Sequence, residues 1–408
     1  MRTPSPFSAY QKVVIAILAL LQFTVVLDFM IMSPLGDMLI KSLKISPKQF
    51  GLVVSSYAFS AGISGILAAG FADKFDRKRL LLFFYTGFVA GTLLCGLAGT
   101  YEMLLMARIV TGIFGGVISS IGMAIITDLF TLEQRGRVMG FTQMSFAASQ
   151  VLGIPISIAI ANKWDWNAPF LAIVLFAVPL GLLLLLGMRP VNAHLALQSD
   201  KNALTHLWHT LREKKYQTGF ITSALLPIGG FMLMPFSSAF AVNNLGVSYG
   251  QLPYLFMITG IGSIIIMPLV GRMSDRYNKL KLFFAGSAWA SVFVVIYTNL
   301  TPIPFWQIIA LNVLLFMGIM SRIVPATALV TAIPQMKDRG AFMSVNASLQ
   351  QIAGGIASLI AGFIVVQQTE TSPVEHFDTL GYVVLGVMIA GVYAVIRVDR
   401  IIRKHGAN

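Results

Sequence analysis

Charge is scarce in this chain: Asp, Glu, Lys and Arg make up 11% of 408 residues, against a hydrophobic share of 56% and a mean hydropathy of +0.79. A water-soluble domain needs more charge on its surface than that. Side chains this apolar are hidden in lipid, where only helices and closed barrels satisfy every backbone polar group. The apolar runs are long and unbroken, which selects helices. Cysteine is nearly absent, and the single Cys95 lies in an apolar run, so there is no disulfide framework. All five histidines, His194, His206, His209, His376 and His405, fall in polar segments, leaving neither an intramembrane histidine relay nor a metal site at ligand spacing. No Gly-x-x-x-x-Gly-Lys-Ser/Thr loop is present, so ATP does not drive this chain directly. No nucleophile and base pair points to an intramembrane hydrolase. The expectation is a protein that is not an enzyme and uses no cofactor.

Runs long enough to cross about 30 Å of hydrocarbon occur at 13–35, 49–72, 80–99, 103–128, 138–161 and 168–188. Six more follow at 217–242, 252–271, 281–299, 305–333, 341–366 and 379–396. The first run is long enough to span and lacks a small-residue cleavage site, so it reads as a retained helix rather than a signal. The spacing predicts an all-α membrane protein with twelve transmembrane helices in two six-helix bundles, residues 1–188 and 217–408. The polar segment 189–216 links them. Its Leu204, Leu207, Trp208 and Leu211 recur at helical spacing and predict an amphipathic helix at the membrane surface.

Four of the 29 basic residues, Lys41, Lys44, Lys48 and Lys163, fall in loops opposite the termini; Arg108 and Arg322 lie inside apolar runs, and the remainder collect on the side of the termini. This bias predicts both termini in the cytoplasm and an inner (plasma) membrane location. It also explains the net charge of +13 without nucleic acid as a partner. The halves repeat each other. Ala69-Gly-Phe-Ala-Asp73-Lys-Phe-Asp76-Arg77-Lys78-Arg79 after the second run parallels Gly271-Arg-Met-Ser-Asp275-Arg276-Tyr-Asn-Lys279-Leu-Lys281 after the eighth, with Asp73 and Asp275 202 positions apart. Arg135-Gly136 and Arg339-Gly340 recur 204 positions apart. One duplicated six-helix unit accounts for both offsets, and duplicated halves about a midplane site are a transporter architecture.

With these features in place, the whole chain resembles the major facilitator superfamily, and within it the twelve-helix proton-coupled drug and metabolite exporters. The loop from Ala69 to Leu81 is similar to the superfamily's motif A, Gly-x-Leu-Ala-Asp-Arg-x-Gly-Arg-Lys, matching at Asp73, Arg77 and Lys78 and departing at Ala69 and Asp76. The second copy keeps Gly271, Asp275 and Arg276. Arg108-Ile-Val-Thr-Gly112 resembles the exporters' motif B, and Gly153-Ile-Pro155 is similar to the Gly-Pro motif C of antiporters with Ile154 inserted. The resemblance implies helix packing at Gly112, Gly153 and Pro155. It also implies a latch at one gate, built from Asp73, Arg77 and Asp128 with Asp275 and Arg276 in the second half; a topogenic basic loop with a counter-ion is the plainer alternative.

Only Asp28, Arg108 and Arg322 carry charge well within apolar runs, where each costs several kcal/mol unless paired or hydrated. Counting inward along the runs places Asp28 roughly 10 Å and Arg108 roughly 8 Å deep at the helical rise. If their helices are neighbours, as the resemblance implies, the two form a pair. A nearby guanidinium favours the carboxylate, burial favours the neutral acid, and water access decides between them. That competition suits proton coupling; a static ion pair is the alternative. Arg322 has no buried carboxylate in its own half, leaving a substrate anion, backbone carbonyls or snorkelling toward the surface. Gln22, Tyr57, Gln143, Gln150, Phe236, Asn312, Asn346 and Gln350 join Arg322 as expected cavity residues, with Ser119, Phe231 and the many Met and Phe side chains around them. The expected partners are a small-molecule substrate, protons and the lipid bilayer, for a monomer. The expected function is proton-coupled efflux of small amphipathic or hydrophobic compounds by alternating access. A proton symporter for a sugar or organic acid, and a lipid-handling or receptor protein on the same fold, remain the alternatives.

Overall fold

The computed structural model describes residues 7–197, 203–335, 338–369 and 371–405. Among these, twelve helices are long and apolar enough to cross a membrane. The first half comprises α1 (Ala9–Ile31), α2 (Pro47–Ala68), α3 (Arg77–Gly96), α4 (Tyr101–Leu129), α5 (Glu133–Lys163) and α6 (Ala168–Gly187). The second comprises α7 (Lys214–Asn243), α8 (Leu252–Arg276), α9 (Lys279–Thr298), α10 (Phe305–Val330), α11 (Arg339–Ile364) and α12 (Phe377–Arg403). An even number of spans leaves both ends on one face, called the terminal face below; the opposite face is the distal one.

The helix starts follow local chemistry. Ser8 and Ser46 each close a capping box with a Gln three residues on, and Pro47 supplies the fixed φ of a first helical turn. Thr100, Asp76 and Asn278 side chains accept from first-turn amides of α4, α3 and α9. Interruptions follow proline. The first apolar run extends to residue 35, but α1 ends at Ile31 because Pro34 lies just beyond, and a turn leads into a short helix, Gly36–Leu43. In α7, Pro235 sits in a single 3-10 turn, Met234–Phe236. In α5, a π-helical turn spans Ser149–Gly153 immediately before Pro155, whose missing N–H breaks the regular ladder.

Small residues set the packing, as expected where lipid gives helices no hydrophobic drive to associate. A Cβ at Gly112 would lie 2.5 Å from the Tyr57 carbonyl oxygen, and one at Gly116 would lie 2.5 Å from Ala61 Cα, so α4 crosses α2 backbone to backbone. Gly91 does the same for α3 against Thr111 of α4. The halves meet along α2 and α11, where Gly51 packs on Ser358 and Gly362, and Gly62 on Ser348 and Ile352. They meet again at α5 and α8, where Gly260 faces the backbone of Gln150. The linker forms a 3-10 turn, Ala193–Leu197, and the helix Ala203–Arg212, which packs on α2, α7 and α11. Trp208 of that helix is exposed under the Arg212 guanidinium, 4.7 Å away; the side chains of Leu204 and Leu207 lie outside the described set.

Overpacking a backbone crossing of this kind costs about 1–3 kcal/mol. Gly116→Leu is therefore expected to lower the melting temperature of the purified protein, whereas Gly136→Leu, at a position with open space around it, should leave the melt unchanged.

Candidate functional site

Asp28 and Arg108 meet inside the first bundle. Arg108 Nη1 donates to Asp28 Oδ2 at 2.8 Å, and the two side chains are 1% and 0% exposed. Their helices are held together by the α4 crossing and by α5: Ser145 donates to the Ala19 carbonyl at 2.6 Å, and Gly153 lets α5 close on Leu27, where a Cβ would lie 2.6 Å away. Thr92 of α3 donates to the other carboxylate oxygen at 3.1 Å. The guanidinium lies over the Tyr57 ring at 4.4 Å, a cation–π contact strengthened by the absence of water. Gly115 makes room for the Tyr57 hydroxyl, 2.9 Å from where a Cβ would stand. One donor, Arg108 Nε, has no partner. Removing either member of such a pair strands the other charge, at a cost of about 3–5 kcal/mol.

From this pair an aromatic path leads to the junction of the halves. Tyr57 packs on Phe29 with ring centroids 5.3 Å apart, and Phe29 on Phe231 of α7 at 5.9 Å. Phe231 seats against Gly354 of α11, and Ser358 donates to its carbonyl at 3.1 Å. A change in the charge pair thus has a packed route through α1 and α7 to α11.

The remaining expected residues divide. Gln22 accepts from Ser119 at 2.8 Å across α1 and α4. Gln150 lies in the π turn against Gly260, and Phe236 is fully buried against Phe50 at the distal junction. Gln143 is exposed, Gln350 partly buried, and Asn312 and Asn346 are buried, the latter with its side-chain oxygen unpartnered. Arg322 points among α9, α10 and α12, against Phe283 and beside Gly391. These residues do not form one cluster around the ion pair.

At the terminal face, Arg77 Nε contacts Asp128 Oδ2 at 3.3 Å and its Nη1 donates to the Ala72 carbonyl at 3.0 Å, tying α3 to the end of α4. The Arg77 amide donates to Val191 of the linker. The Asp73 side chain lies outside the described set. Asp275 and Arg276 are exposed and form no ion pair among the described residues; the 204-residue repeat offset puts Ala332 where the first half has Asp128, so the second half lacks the matching carboxylate.

A polar lock on the distal face went unread in the sequence. Asp37, fully buried, accepts from Lys41 at 2.8 Å, from the Asn243 amide and from the Tyr249 hydroxyl. Lys41 also donates to Asn243 Oδ1 and to the Tyr249 oxygen, each at 3.1 Å. Ser33 donates to the Met234 carbonyl, and Ser238 returns a bond of 2.8 Å to the Ser33 carbonyl. The two proline turns, Ser33-Pro34 and Met234-Pro235, stand 201 positions apart and so are repeat equivalents facing each other. The signal was an Asp37/Lys41 pair at helical spacing in a loop, which looks like solvated surface until partners 200 residues away are known.

The sequence profile of the Major Facilitator Superfamily matches residues 18–358 and 219–404. The chain belongs to the Major Facilitator Superfamily. It is a multi-pass transporter that works by alternating access, not an enzyme. Over 269 residues it is 26% identical to the uncharacterized MFS-type transporter YceJ of Bacillus subtilis (strain 168), covering 65% of this chain and 67% of that one. It is 34% identical over 136 residues to Multidrug resistance protein 3 of the same organism, covering 32% of this chain and 27% of the relative. The crystal structure of a D-xylose-proton symporter superposes with a TM-score of 0.76 at 17% identity, over 96% of this chain and 97% of that one. That likeness shows the fold alone.

Burial, and then the bond to Asp37, hold the Tyr249 phenol above its ordinary range. The phenol therefore stays protonated and donating near neutral pH, and its stabilising share is lost only as pH rises past the ordinary phenol range toward that raised value. With spin labels at Ser42 and Ser248, Asp37→Ala is expected to lengthen the distance across the distal face; an unaltered distance distribution would leave the lock a packing detail.

Proposed function

We propose that this transporter moves a small amphipathic or hydrophobic compound out of the cell in exchange for protons. The terminal face is then cytoplasmic, in the inner (plasma) membrane, and a monomer suffices. The single observation behind this reading is the fully buried Asp28–Arg108 pair. Asp28 is the only carboxylate placed deep in an apolar run, and its ionised form is favoured by Arg108 and Thr92 at the same place where lack of water favours the neutral form. When Asp28 is ionised it holds Arg108; when it takes a proton, the guanidinium keeps its contact with the Tyr57 ring, and a shift of that ring passes along Phe29 to Phe231. Each half then moves nearly as a rigid body about the midplane. On this reading the distal lock closes one side, and the Arg77–Asp128 contact braces the terminal face of the first half.

Support for export comes from the partial likeness to a multidrug resistance protein and from the Gly153/Pro155 segment, whose π turn seats α5 against both α1 and α8. The basic residues gathered on the terminal face support a cytoplasmic placement of the termini. In proteoliposomes with an imposed pH gradient, a panel of cationic dyes, sugars and organic acids should identify a compound carried against the proton flow. Asp28→Asn should reduce that gradient-driven transport to the level of empty vesicles while preserving the elution profile of a folded protein. Accumulation of a sugar or organic acid along the proton gradient would replace export by symport, and gradient-driven transport at wild-type rate by Asp28→Asn would remove Asp28 from the coupling.

A further inference from the structure

Arg322 is 2% exposed, in the second half of α10, and two of its donors, Nε and Nη2, have no partner. These two N–H groups lie on the same edge of the guanidinium and point the same way, the geometry with which arginine grips a single acceptor or an oxyanion. An isolated charge at such a depth costs several kcal/mol. Arg108 meets that cost with Asp28; among the described residues Arg322 has no carboxylate counterpart. The described carboxylates of the second half stand at helix ends or in loops: Asp275, Asp338, Glu375, Asp378 and Asp399, the last held by Arg403 at 2.7 Å.

The surroundings of that open edge are specific. Gly391 of α12 lets the guanidinium approach the α12 backbone, since a Cβ there would stand 3.2 Å from Arg322 Nη2. On α9, Phe283 presents its ring 5.8 Å from the guanidinium, and Gly286 lets the α10 backbone approach at Ser321 and Arg322. Ser287, one turn from Phe283, is buried with its hydroxyl unpartnered. Its level follows from its neighbour: Ser291, one turn further along α9, contacts Met388 of α12 at 3.7 Å, so one turn back along α9 Ser287 stands at about the level of Gly391 on antiparallel α12. Two guanidinium donors and a hydroxyl therefore lie unused at one height among α9, α10 and α12. The equivalent place in the first half is apolar, with Ile118 at the position offset by 204 from Arg322.

We propose that this is a binding site for a small inorganic anion of halide size, held by the Nε/Nη2 edge of Arg322 and the Ser287 hydroxyl. Backbone-close packing at Gly286 and Gly318 leaves no room there for a lipid headgroup or a drug-sized substrate. The site is separate from the Asp28–Arg108 pair and does not depend on the direction of transport. Its occupant neutralises a charge that would otherwise stand alone in the bundle, so binding should stabilise the folded protein by mass action.

The test uses the full chain purified in detergent, melted in sodium chloride, bromide or gluconate at constant ionic strength. A saturable rise in melting temperature with chloride or bromide over gluconate is expected for the wild type. It should vanish in Arg322→Met and need higher halide in Ser287→Ala. Anomalous scattering from bromide-grown crystals should place a peak at the Arg322 edge, which keeps the test decisive if Arg322→Met does not fold. Equal melting in all three salts with no anomalous peak would overturn the proposal, leaving the guanidinium hydrated. An undiminished halide effect in Arg322→Met would overturn it as well, by placing the anion elsewhere.

Discussion

Neither Asp28 nor Arg108 can stay charged alone at its depth. A lone ion in hydrocarbon costs several kcal/mol, and the 2.8 Å contact between them is what allows both to be there. The surrounding architecture serves that contact. The glycine crossings bring α4 onto α2 so that Tyr57 covers the guanidinium, Gly153 brings α5 against α1 beside the carboxylate, and Thr92 fixes the second oxygen. On the proposed reading such a pair in a tightly packed bundle suits switching, because packed interfaces change between discrete arrangements rather than deforming smoothly.

The distal lock and the ion pair lie at successive levels of the same helix. Asp28 stands three residues before α1 ends, and Asp37 follows just beyond the proline turn. Ser33 and its repeat equivalent at Met234 join between them. Motion of α1 that follows a change at Asp28 therefore bears directly on the segment carrying Asp37. The two halves share topology but not chemistry: repeat offsets of 201 to 204 put Gly229 to Met232 where the first half has Asp28, and an offset of 204 puts Asn312 at the place of Arg108, so the ion pair has no repeat equivalent in the second bundle.

The spans were legible because each leaves an apolar run, and Asp28 and Arg108 stood out because each is a charge where none is expected; that the two meet followed only from the family resemblance, which makes their helices neighbours. Depth was less legible. Counting to residue 35 set Asp28 deeper along its helix than it is, since Pro34 ends α1 early; its burial comes instead from α2, α3 and α4, whose Tyr57, Thr92 and Arg108 enclose the pair. Asp37 was hidden because its partners, Asn243 and Tyr249, are remote in sequence and Lys41 alone made it look solvated. Thr92 and Ser287 were hidden because a single hydroxyl in an apolar run has no periodic signature. Arg322 was correctly seen as buried without an acid, but only packing shows that it turns toward α9 and α12.

The central claim is that Asp28 exchanges a proton as its bond to Arg108 breaks and reforms. Infrared difference spectra of reconstituted protein, taken across a pH titration with and without a transported compound, observe that carboxyl directly. A protonated carboxylic-acid carbonyl band that appears at low pH, shifts its titration when the compound binds, and is missing from Asp28→Asn is the expected result. A carboxylate signature for Asp28 that persists unchanged through every pH and ligand condition would contradict the claim and leave the pair as a static strut.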